Sequence, residues 1–219
     1  MITNNLWDFI SPVNCAICGN EYSRNDGFIC LPCRNKLKLA VYKADPAEYL
    51  SKRYFYFDLL ISLYDYDNMV KPLIISFKER DRVELADFVA ESASNNVISD
   101  LNADIITAVP LSRSKKLARG YNQSELFARS LSKYSGIRYL PMLACRGKRE
   151  VQKKMNYSSR FLNIIGRYKP YKKVNCIGKT VLLVDDVVTT GATLNECARI
   201  IKKMGANAVF SLTIARVNI

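Results

Sequence analysis

Two adjacent carboxylates, Asp185 and Asp186, follow four apolar residues and precede a short turn of small and hydroxyl-bearing residues. Carboxylate oxygens accept hydrogen bonds from the vicinal hydroxyls of a ribose, and a helix N-terminus offers N–H donors to a phosphate dianion. A strand ending in this pair and a helix beginning after the turn would hold both parts of a sugar phosphate. The residues expected to bind it are Asp185, Asp186, Val187, Val188, Thr189, Thr190, Gly191, Ala192 and Thr193.

The elements around this turn fit the same interpretation. Residues 181–184 are apolar without alternation, which is typical of a parallel strand buried on both faces. Gly191 permits a turn with positive φ. A helix expected from about Leu194 to Lys203 directs Ala198, Ile200 and Ile201 toward a core. Each feature alone is common in proteins, but their combination favours phosphoribosyl binding over an ordinary strand, turn and helix.

A second candidate segment, residues 109–123, follows a strand predicted at residues 105–109. Ligands of open α/β sheets bind beyond the carboxyl ends of the strands. Before the first acid, Glu125, the segment carries Ser112 and four cations, which are Arg113, Lys115, Lys116 and Arg119. It suits a pyrophosphate, which Ser112 and Arg113 would face, or the backbone of a nucleic acid. A solvated basic loop is the alternative.

Residues 146–173 hold ten basic side chains and one acid, Glu150, with tyrosine and phenylalanine interleaved. Cations combined with aromatic faces suit single-stranded nucleic acid. The same segment could instead form a lid over pyrophosphate, or remain a solvated surface. Together with Lys115, Lys116 and Arg119, the residues expected to bind nucleic acid are Lys148, Arg149, Lys153, Lys154 and Arg160.

Four of the seven cysteines form two CxxC pairs, Cys15 with Cys18 and Cys30 with Cys33, separated by eleven residues. Two such pairs offer four thiolates to one tetrahedral zinc ion, so we predict a structural zinc site rather than four free thiols. Metal binding by cysteine and an odd cysteine count are typical of a reducing compartment, and we expect a cytoplasmic protein. The N-terminus lacks the pattern of a signal peptide.

The chain of 219 residues carries 33 Lys and Arg against 20 Asp and Glu, a formal net charge of +13. This balance favours a polyanionic partner, most simply a nucleic acid. The absence of histidine excludes a Ser-His-Asp or Cys-His mechanism and any histidine ligand. No apolar run approaches the ~18 residues of a membrane-spanning helix, so no membrane insertion is expected.

Strand and helix patterns alternate from residue 59 onward. Strands are predicted at 59–66, 105–109, 137–142, 181–184 and 208–215, and helices at 68–78, 83–97, 114–134 (with a possible break at Gly120) and 194–203. Such alternation predicts an α/β fold with a parallel sheet flanked by helices. We expect a zinc-binding module at residues 1–40, a linker at 41–57 and the α/β domain at 58–219.

The segment around the Asp pair resembles the 5-phosphoribosyl-1-pyrophosphate (PRPP) loop of type I phosphoribosyltransferases, and nearly the whole chain is similar to the ComF family. The resemblance rests on the two CxxC pairs, the region from Tyr66 to Lys78, the PRPP loop, a segment containing Gln152, Arg160, Asn163 and Gly166, and the run Arg119, Gly120, Tyr121, Asn122 and Gln123. It implies a phosphoribosyltransferase-like domain that binds PRPP or a ribose phosphate with Mg²⁺. It also implies a role in DNA uptake and natural transformation, with single-stranded DNA as a partner and other DNA uptake or recombination proteins as further candidates.

By the same resemblance, Asp185 and Asp186 would be the catalytic pair if the protein is an enzyme. Three interpretations remain: a DNA-binding competence factor, a working phosphoribosyltransferase with a nucleobase-like acceptor, and a PRPP-sensing regulator. Arg149 stands where the family usually has Thr, and Tyr168 where it closes the segment with Phe. The chain begins Met1-Ile2 and lacks the N-terminal cysteine of a glutamine amidotransferase, so we do not expect that activity.

Overall fold

The computed structural model describes residues 13–22, 27–45, 55–79, 84–146, 164–171 and 174–217. Within these ranges the strands are β1 Val13–Asn14, β2 Glu21–Tyr22, β3 Tyr42–Ala44, β4 Leu59–Asp65, β5 Ile105–Ala108, β6 Arg138–Tyr139, β7 Leu143–Cys145, β8 Tyr168–Pro170, β9 Thr180–Val188 and β10 Ala208–Arg216. The α-helices are α1 Leu31–Lys36, α2 Val70–Glu79, α3 Glu84–Asn96, α4 Arg113–Arg119, α5 Gln123–Ser135 and α6 Ala192–Lys203.

Six strands form the central sheet in the order β3-β4-β10-β9-β5-β6. Neighbours from β4 to β6 are parallel, and β3 pairs antiparallel with β4 at one edge. Parallel strands joined through helices require cover on both faces of the sheet. The predicted α/β fold, a phosphoribosyltransferase-like parallel sheet flanked by helices, is confirmed.

Apolar side chains of the strands divide between two cores. On one face, Leu182 and Val184 of β9 pack in a cluster with apolar residues of α2, α3 and α5. On the other, Val181 and Leu183 pack with α6. The continuous apolar run of residues 181–184 therefore contributes side chains to both cores, as the sequence predicts for a strand buried on both faces. Ala198, Ile200 and Ile201 are buried, as expected for the helix after the turn.

The helices after two neighbouring strands lie on opposite faces of the sheet. β5 is followed by α4 and α5, and Phe127 and Leu131 of α5 belong to the first core. β9 is followed by α6, and Leu194 of α6 belongs to the second core. Chains that leave adjacent strands in opposite directions open a crevice at the carboxyl ends of those strands. The fold therefore places a crevice between β5 and β9, beside the Asp pair.

The long helix predicted at residues 114–134 is divided into α4 and α5 at Gly120, which has a φ of 79°. This left-handed conformation is costly for residues with a Cβ but is readily adopted by glycine. The chain can therefore leave the helix at Gly120. Asn122, in the corner between the two helices, donates a hydrogen bond from Nδ2 to the carbonyl of Val109 over 3.0 Å. The corner is thereby joined to the end of β5.

Three elements differ from their sequence expectations. β9 continues to Val188 instead of ending before Asp185, because the parallel neighbour β10 pairs with it through Arg216 opposite Val188. Of the strand predicted at residues 137–142, the structure forms β6 at residues 138–139, and β7 follows beyond the predicted end and pairs with β8 in a separate hairpin. The segment predicted as a linker contains β3, which extends the sheet by pairing with β4.

The cysteine-containing segments pack against the first core rather than standing apart from it. Cys15, Cys30 and Cys33 belong to that core cluster. Phe28 contacts Phe88 of α3 edge to face, with ring centroids 5.7 Å apart. The domain boundaries proposed at residues 40 and 57 stay predictions. Among the described helices, none is both long and apolar enough to cross a membrane.

Candidate functional site

Asp185 lies in the crevice between β5 and β9, where the two strands separate beyond the bond from the Val109 N–H to the Val184 carbonyl. Its Oδ1 accepts hydrogen bonds from the Ser124 hydroxyl over 2.8 Å and from the Asp186 N–H over 2.9 Å. Burial, followed by the neighbouring charge of Asp186, raises the pKa of Asp185 to about 7. Near neutral pH this carboxyl group therefore exchanges between its charged and neutral forms.

Asp186 is held differently. Its Oδ2 lies 2.7 Å from the Nζ of Lys78, which is in the last turn of α2. Its Oδ1 accepts the Val187 N–H over 2.6 Å. One positive charge, that of Lys78, thus lies beside two adjacent carboxylates. The summed charge of these three groups determines which other ligands the Asp pair can bind.

The turn after β9 has the form that the sequence predicts for a phosphate site. Gly191 is left-handed, with a φ of 69°, and precedes α6 as its N-cap residue without a side-chain cap. The Thr190 hydroxyl accepts the Ala192 N–H over 3.4 Å, and both residues are buried. Thr189 is exposed and Thr193 is half-buried. The first N–H groups of a helix lack partners within it, so this end of α6 can donate to an anion.

A cavity of about 210 Å³ joins these groups at the carboxyl ends of the strands. Its polar wall includes Lys78, Ser112, Lys115, Arg119, Asn122, Gln123, Ser124, Arg167, Asp185, Asp186 and Thr193. Two carboxylates, Thr193 in the first turn of α6 and four cations therefore face one space, and Thr189, Thr190, Gly191 and Ala192 lie outside the described lining. A larger cavity of about 440 Å³ lies at the amino ends of β5 and β6, and its lining contains no charged residue. We therefore assign the candidate site to the smaller cavity.

Not every predicted cation reaches the cavity. Ser112 caps α4 by accepting the Lys115 N–H over 3.4 Å, and Lys115 and Arg119 line the wall. Arg113 and Lys116 lie on α4 but outside the described lining, and Lys116 Nζ is 3.8 Å from Glu125 Oε2. The structure thus brings Ser112, Lys115 and Arg119 to the Asp pair, and not Arg113 or Lys116.

The cations predicted within the basic aromatic segment fall outside the described residues. These are Lys148, Arg149, Lys153, Lys154 and Arg160. The described ends of the segment meet beside the cavity: the Arg146 N–H donates to the Arg167 carbonyl over 2.8 Å, and Cys145 pairs with Tyr168 in the β7–β8 hairpin. Arg167 and Tyr168 line the cavity. The assignment of the five cations to nucleic-acid binding stays a prediction.

Five polar residues of the wall were not among the predicted site residues: Lys78, Asn122, Gln123, Ser124 and Arg167. Asn122 and Gln123 belong to the run from Arg119 to Gln123 on which the family resemblance rests. Ser124 lies in the first turn of α5, directly after the run from Arg119 to Gln123. Its position directly after this motif is the feature of the sequence that could have identified Ser124 as a site residue. Lys78 and Arg167 belong to segments far away in sequence, and only the folded topology brings them to the Asp pair.

The cysteine cluster forms a second candidate site. The Sγ atoms of Cys15, Cys18, Cys30 and Cys33 all lie within 4.8 Å of one another, and those of Cys18 and Cys30 are 3.8 Å apart. Zinc–sulfur bonds of ~2.3 Å in a tetrahedron place sulfur atoms about 3.8 Å apart, so the cluster fits one metal ion. The predicted set of four cysteines is therefore brought together.

Backbone N–H groups favour the thiolate form of one member of this cluster, Cys15. The N–H groups of Ile17 and Cys30 each donate to Cys15 Sγ over 3.4 Å. Burial acts to raise the pKa of the Cys15 thiol, but bonds from backbone N–H groups of Cys18, Cys30 and Ile17 outweigh it and lower that pKa to about 6. A thiolate is the form that binds metal.

The raised pKa of Asp185 leads to a prediction about stability. The folded state holds the proton of Asp185 more tightly than the unfolded chain, whose Asp pKa is ~3.9. The contribution of Asp185 to stability should therefore fall as the pH rises from about 4 to about 7. Asp185→Asn keeps an oxygen for Ser124 and removes a charge that its surroundings disfavour, so it should stabilise the protein relative to the wild type by roughly 1–3 kcal/mol above pH 7 and have little effect near pH 4.

Chemical denaturation of the wild type and Asp185→Asn at both pH values measures this difference. Asp100→Asn, an exposed acid on the opposite side of the fold from the Asp pair, is the control and should change stability little at either pH. An Asp185→Asn protein that is equally or less stable above pH 7 would contradict the argument that burial of this charge is unfavourable.

Comparisons with known proteins agree with the fold. The model of the phosphoribosyl transferase domain family matches residues 97–219, more than half of the chain. Competence protein ComFC of Bacillus subtilis (strain 168) is 30% identical over 159 residues, which cover 71% of this chain and 63% of that protein. Competence protein F of Haemophilus influenzae is 31% identical over 122 residues, covering 52% and 50%.

DNA utilization protein YhgH of Escherichia coli (strain K12) is 29% identical over 157 residues, covering 68% of both chains. The matched region thus spans half to about two thirds of the length of these relatives. The matched domain contains β9, the following turn and the Asp pair.

Proposed function

This chain belongs to the ComF family of proteins with a phosphoribosyl transferase domain, and on that premise we propose that it acts in DNA uptake by binding single-stranded DNA together with PRPP or a related ribose phosphate. The observation that carries the proposal is the cavity in which the Asp pair faces the start of α6. The names of the relatives, two competence proteins and a DNA utilization protein, support the biological role.

The ribose phosphate would use both parts of this cavity. Asp185 and Asp186 would accept hydrogen bonds from the ribose hydroxyls. The turn from Thr189 to Thr193 would hold the 5-phosphate with backbone N–H groups and hydroxyls. Lys115, Arg119 and Arg167 line the same wall and would neutralise a pyrophosphate. Each functional group of PRPP therefore has a complementary group in the cavity.

The site also fits Mg²⁺, which PRPP would bring with it. Hard cations prefer oxygen ligands, and Asp185 and Asp186 present carboxylate oxygens to the cavity. Bound there, Mg²⁺ would offset negative charge on the pyrophosphate. For the cysteine cluster we propose zinc, because four thiolates in a tetrahedral arrangement are its preferred structural ligand set.

DNA binding rests on charge and on the position of α4. The chain has a formal net charge of +13, and α4 presents exposed Arg113 and Lys115 next to the cavity. Backbone phosphates are the groups that such cations bind. The basic aromatic segment would extend this surface, with aromatic side chains stacking on bases. Other DNA uptake or recombination proteins as partners, and a cytoplasmic location, stay predictions.

The contribution of α4 to DNA binding can be measured by salt dependence. Lys115→Ala should weaken binding of a single-stranded oligonucleotide equally across sequences and should flatten the log–log salt slope by about one unit. Lys179→Ala is a matched control, since Lys179 precedes β9 at the opposite edge of the sheet and pairs with Asp104. Fluorescence anisotropy at several salt concentrations gives both slopes. Salt-independent affinity in the wild type, or equal effects of the two variants, would contradict the proposed surface.

A second candidate function is phosphoribosyl transfer to a nucleobase-like acceptor. The cations at the cavity wall, opposite the turn of α6, favour it because they suit a departing pyrophosphate. Transfer passes through an oxocarbenium-like transition state, in which the Asp pair would position the ribose and the cations would stabilise the leaving group. Pyrophosphate release from PRPP across a panel of bases, with and without single-stranded DNA, separates an enzyme from a binding protein. Release only with DNA would indicate a phosphoribosyltransferase that DNA activates.

A further inference from the structure

Lys78 occupies an unusual place in the candidate site. Four cations of the described residues line the cavity, namely Lys78, Lys115, Arg119 and Arg167. Lys78 forms an ion pair with the Asp pair, with its Nζ 2.7 Å from Asp186 Oδ2. The side chains are 26% and 18% exposed, so water screens the pair only in part. A cation of the protein itself thus lies against the Asp pair.

The position of Lys78 follows from the construction of α2. Asp67 begins the helix by accepting the N–H groups of Met69 and Val70 at its Oδ1, over 2.9 and 2.8 Å. Ile74 and Phe77 are buried and fix the rotation of the helix on the sheet. Lys78, next to Phe77 in the last turn, then points along the crevice to Asp186. Both ends of this arrangement are held by contacts within the protein.

Tyr121 stabilises the C-terminal end of α2, where Lys78 lies. Its hydroxyl donates to the carbonyl of Phe77 over 2.6 Å, and the two rings lie 6.4 Å apart. The last carbonyls of a helix lack partners within it, so this bond stabilises the turn that carries Lys78. Tyr121 itself belongs to the corner between α4 and α5, which Asn122 joins to β5. A continuous set of hydrogen bonds therefore connects β5, the corner and the residue next to Lys78.

We propose that Lys78 is the resident counter-cation of the Asp pair and that Tyr121 is its positioning residue. Lys78 competes with a divalent cation for Asp186, so a free metal ion binds poorly, whereas a ribose phosphate that arrives with its metal displaces the lysine. An ammonium and a divalent cation cannot both approach the same carboxylate oxygens without mutual repulsion. This inference rests on the proposed use of the Asp pair for a ribose phosphate and adds the control of metal entry.

Binding of Mn²⁺ alone tests the proposal, because Mn²⁺ prefers oxygen over thiolate ligands and is directly measurable. Free Mn²⁺ is measured by electron paramagnetic resonance at about pH 8, where Asp185 is mainly charged. Lys78→Met, of similar size without charge, should bind Mn²⁺ about tenfold more tightly than the wild type. Tyr121→Phe should gain about two- to threefold, since the lysine remains but is less well placed. Lys78→Arg should stay within twofold of the wild type.

Two controls separate this effect from general charge and from folding. Lys71→Met removes the same charge from an exposed position on the same helix and should leave Mn²⁺ affinity unchanged. Asp186→Asn in the Lys78→Met background should abolish the gain. Thermal melting identifies variants that do not fold. If Lys78→Met is one of them, the Mn²⁺ affinities of Tyr121→Phe and Lys78→Arg test the proposal instead.

The proposal is overturned if Lys78→Met binds Mn²⁺ like the wild type, or if Lys71→Met gains as much. Tyr121→Phe at wild-type affinity would overturn the positioning role. The experiment contains no PRPP, so its result is independent of the proposed function. A PRPP titration of the wild type tests the proposed function separately.

Discussion

The double substitution Asp185→Asn and Asp186→Asn should bind PRPP with Mg²⁺ at least tenfold more weakly than the wild type. Asparagine keeps the shape of both side chains, but its amide oxygen is a weaker acceptor than a carboxylate and a poor ligand for Mg²⁺. Each charge-assisted hydrogen bond lost should cost about 1.5–3 kcal/mol, and about 1.4 kcal/mol already corresponds to a factor of ten. Calorimetric titration of both proteins measures the difference.

The stability of the same variant makes the result interpretable. Asp185→Asn removes a charge that its surroundings disfavour, whereas Asp186→Asn breaks the ion pair with Lys78. A thermal melt of the double variant shows that it is folded under the conditions of the titration, so that weaker binding is not read from an unfolded protein. Asp100→Asn, exposed and away from the cavity, should bind PRPP like the wild type. Equal PRPP affinity of the wild type and the double variant would show that the Asp pair does not hold the ligand.

Loss of the metal from the cysteine cluster should have the second large effect. Cys15→Ser combined with Cys33→Ser should remove the metal, unfold the surrounding segment and lower the melting temperature of the protein. Where the structure describes this segment, at residues 13–22 and 27–36, its elements are the short β1, β2 and α1, which cannot form a stable core alone. Apparent binding free energies of structural zinc are about 10–16 kcal/mol in small zinc domains, so metal binding and folding are coupled.

The effect should extend beyond the cysteine segment. Phe28 packs against Phe88 of α3, and the Arg34 guanidinium lies 5.6 Å from the centre of the same ring. Elemental analysis of the purified wild type should give one zinc per chain, and hydrogen exchange should show faster exchange in α3 of the variant. Cys145→Ser, outside the cluster, should retain the metal. A metal-free protein with an unchanged melting temperature would contradict the coupling.

Local patterns were sufficient to predict the parts of the fold that depend on nearby residues. The apolar run at residues 181–184 predicts a strand buried on both faces, and Gly120 predicts the break between α4 and α5. The two CxxC pairs predict the cluster, because the ligand spacing is itself the signal. In each case the structural requirement lies within a short stretch of sequence.

The residues that were not predicted depend on long-range topology. Lys78 reaches Asp186 because α2 ends beside β9, and the sequence between them contains no pattern that encodes this contact. β9 extends past the Asp pair because β10 continues beside it, which a single strand's composition cannot reveal. Arg113 and Lys116 were grouped with Lys115 by sequence, but the rotation of α4 directs only part of its cations into the cavity wall.

A crystal structure of the chain with PRPP and Mg²⁺ tests the central claim most directly. The account predicts that the ribose hydroxyls lie within hydrogen-bond distance of Asp185 and Asp186, that the 5-phosphate contacts the turn from Thr189 to Thr193, and that Lys78 has moved away from Asp186. PRPP bound at another surface, or a cavity without ligand at saturating PRPP with the pair of Lys78 and Asp186 intact, would contradict it.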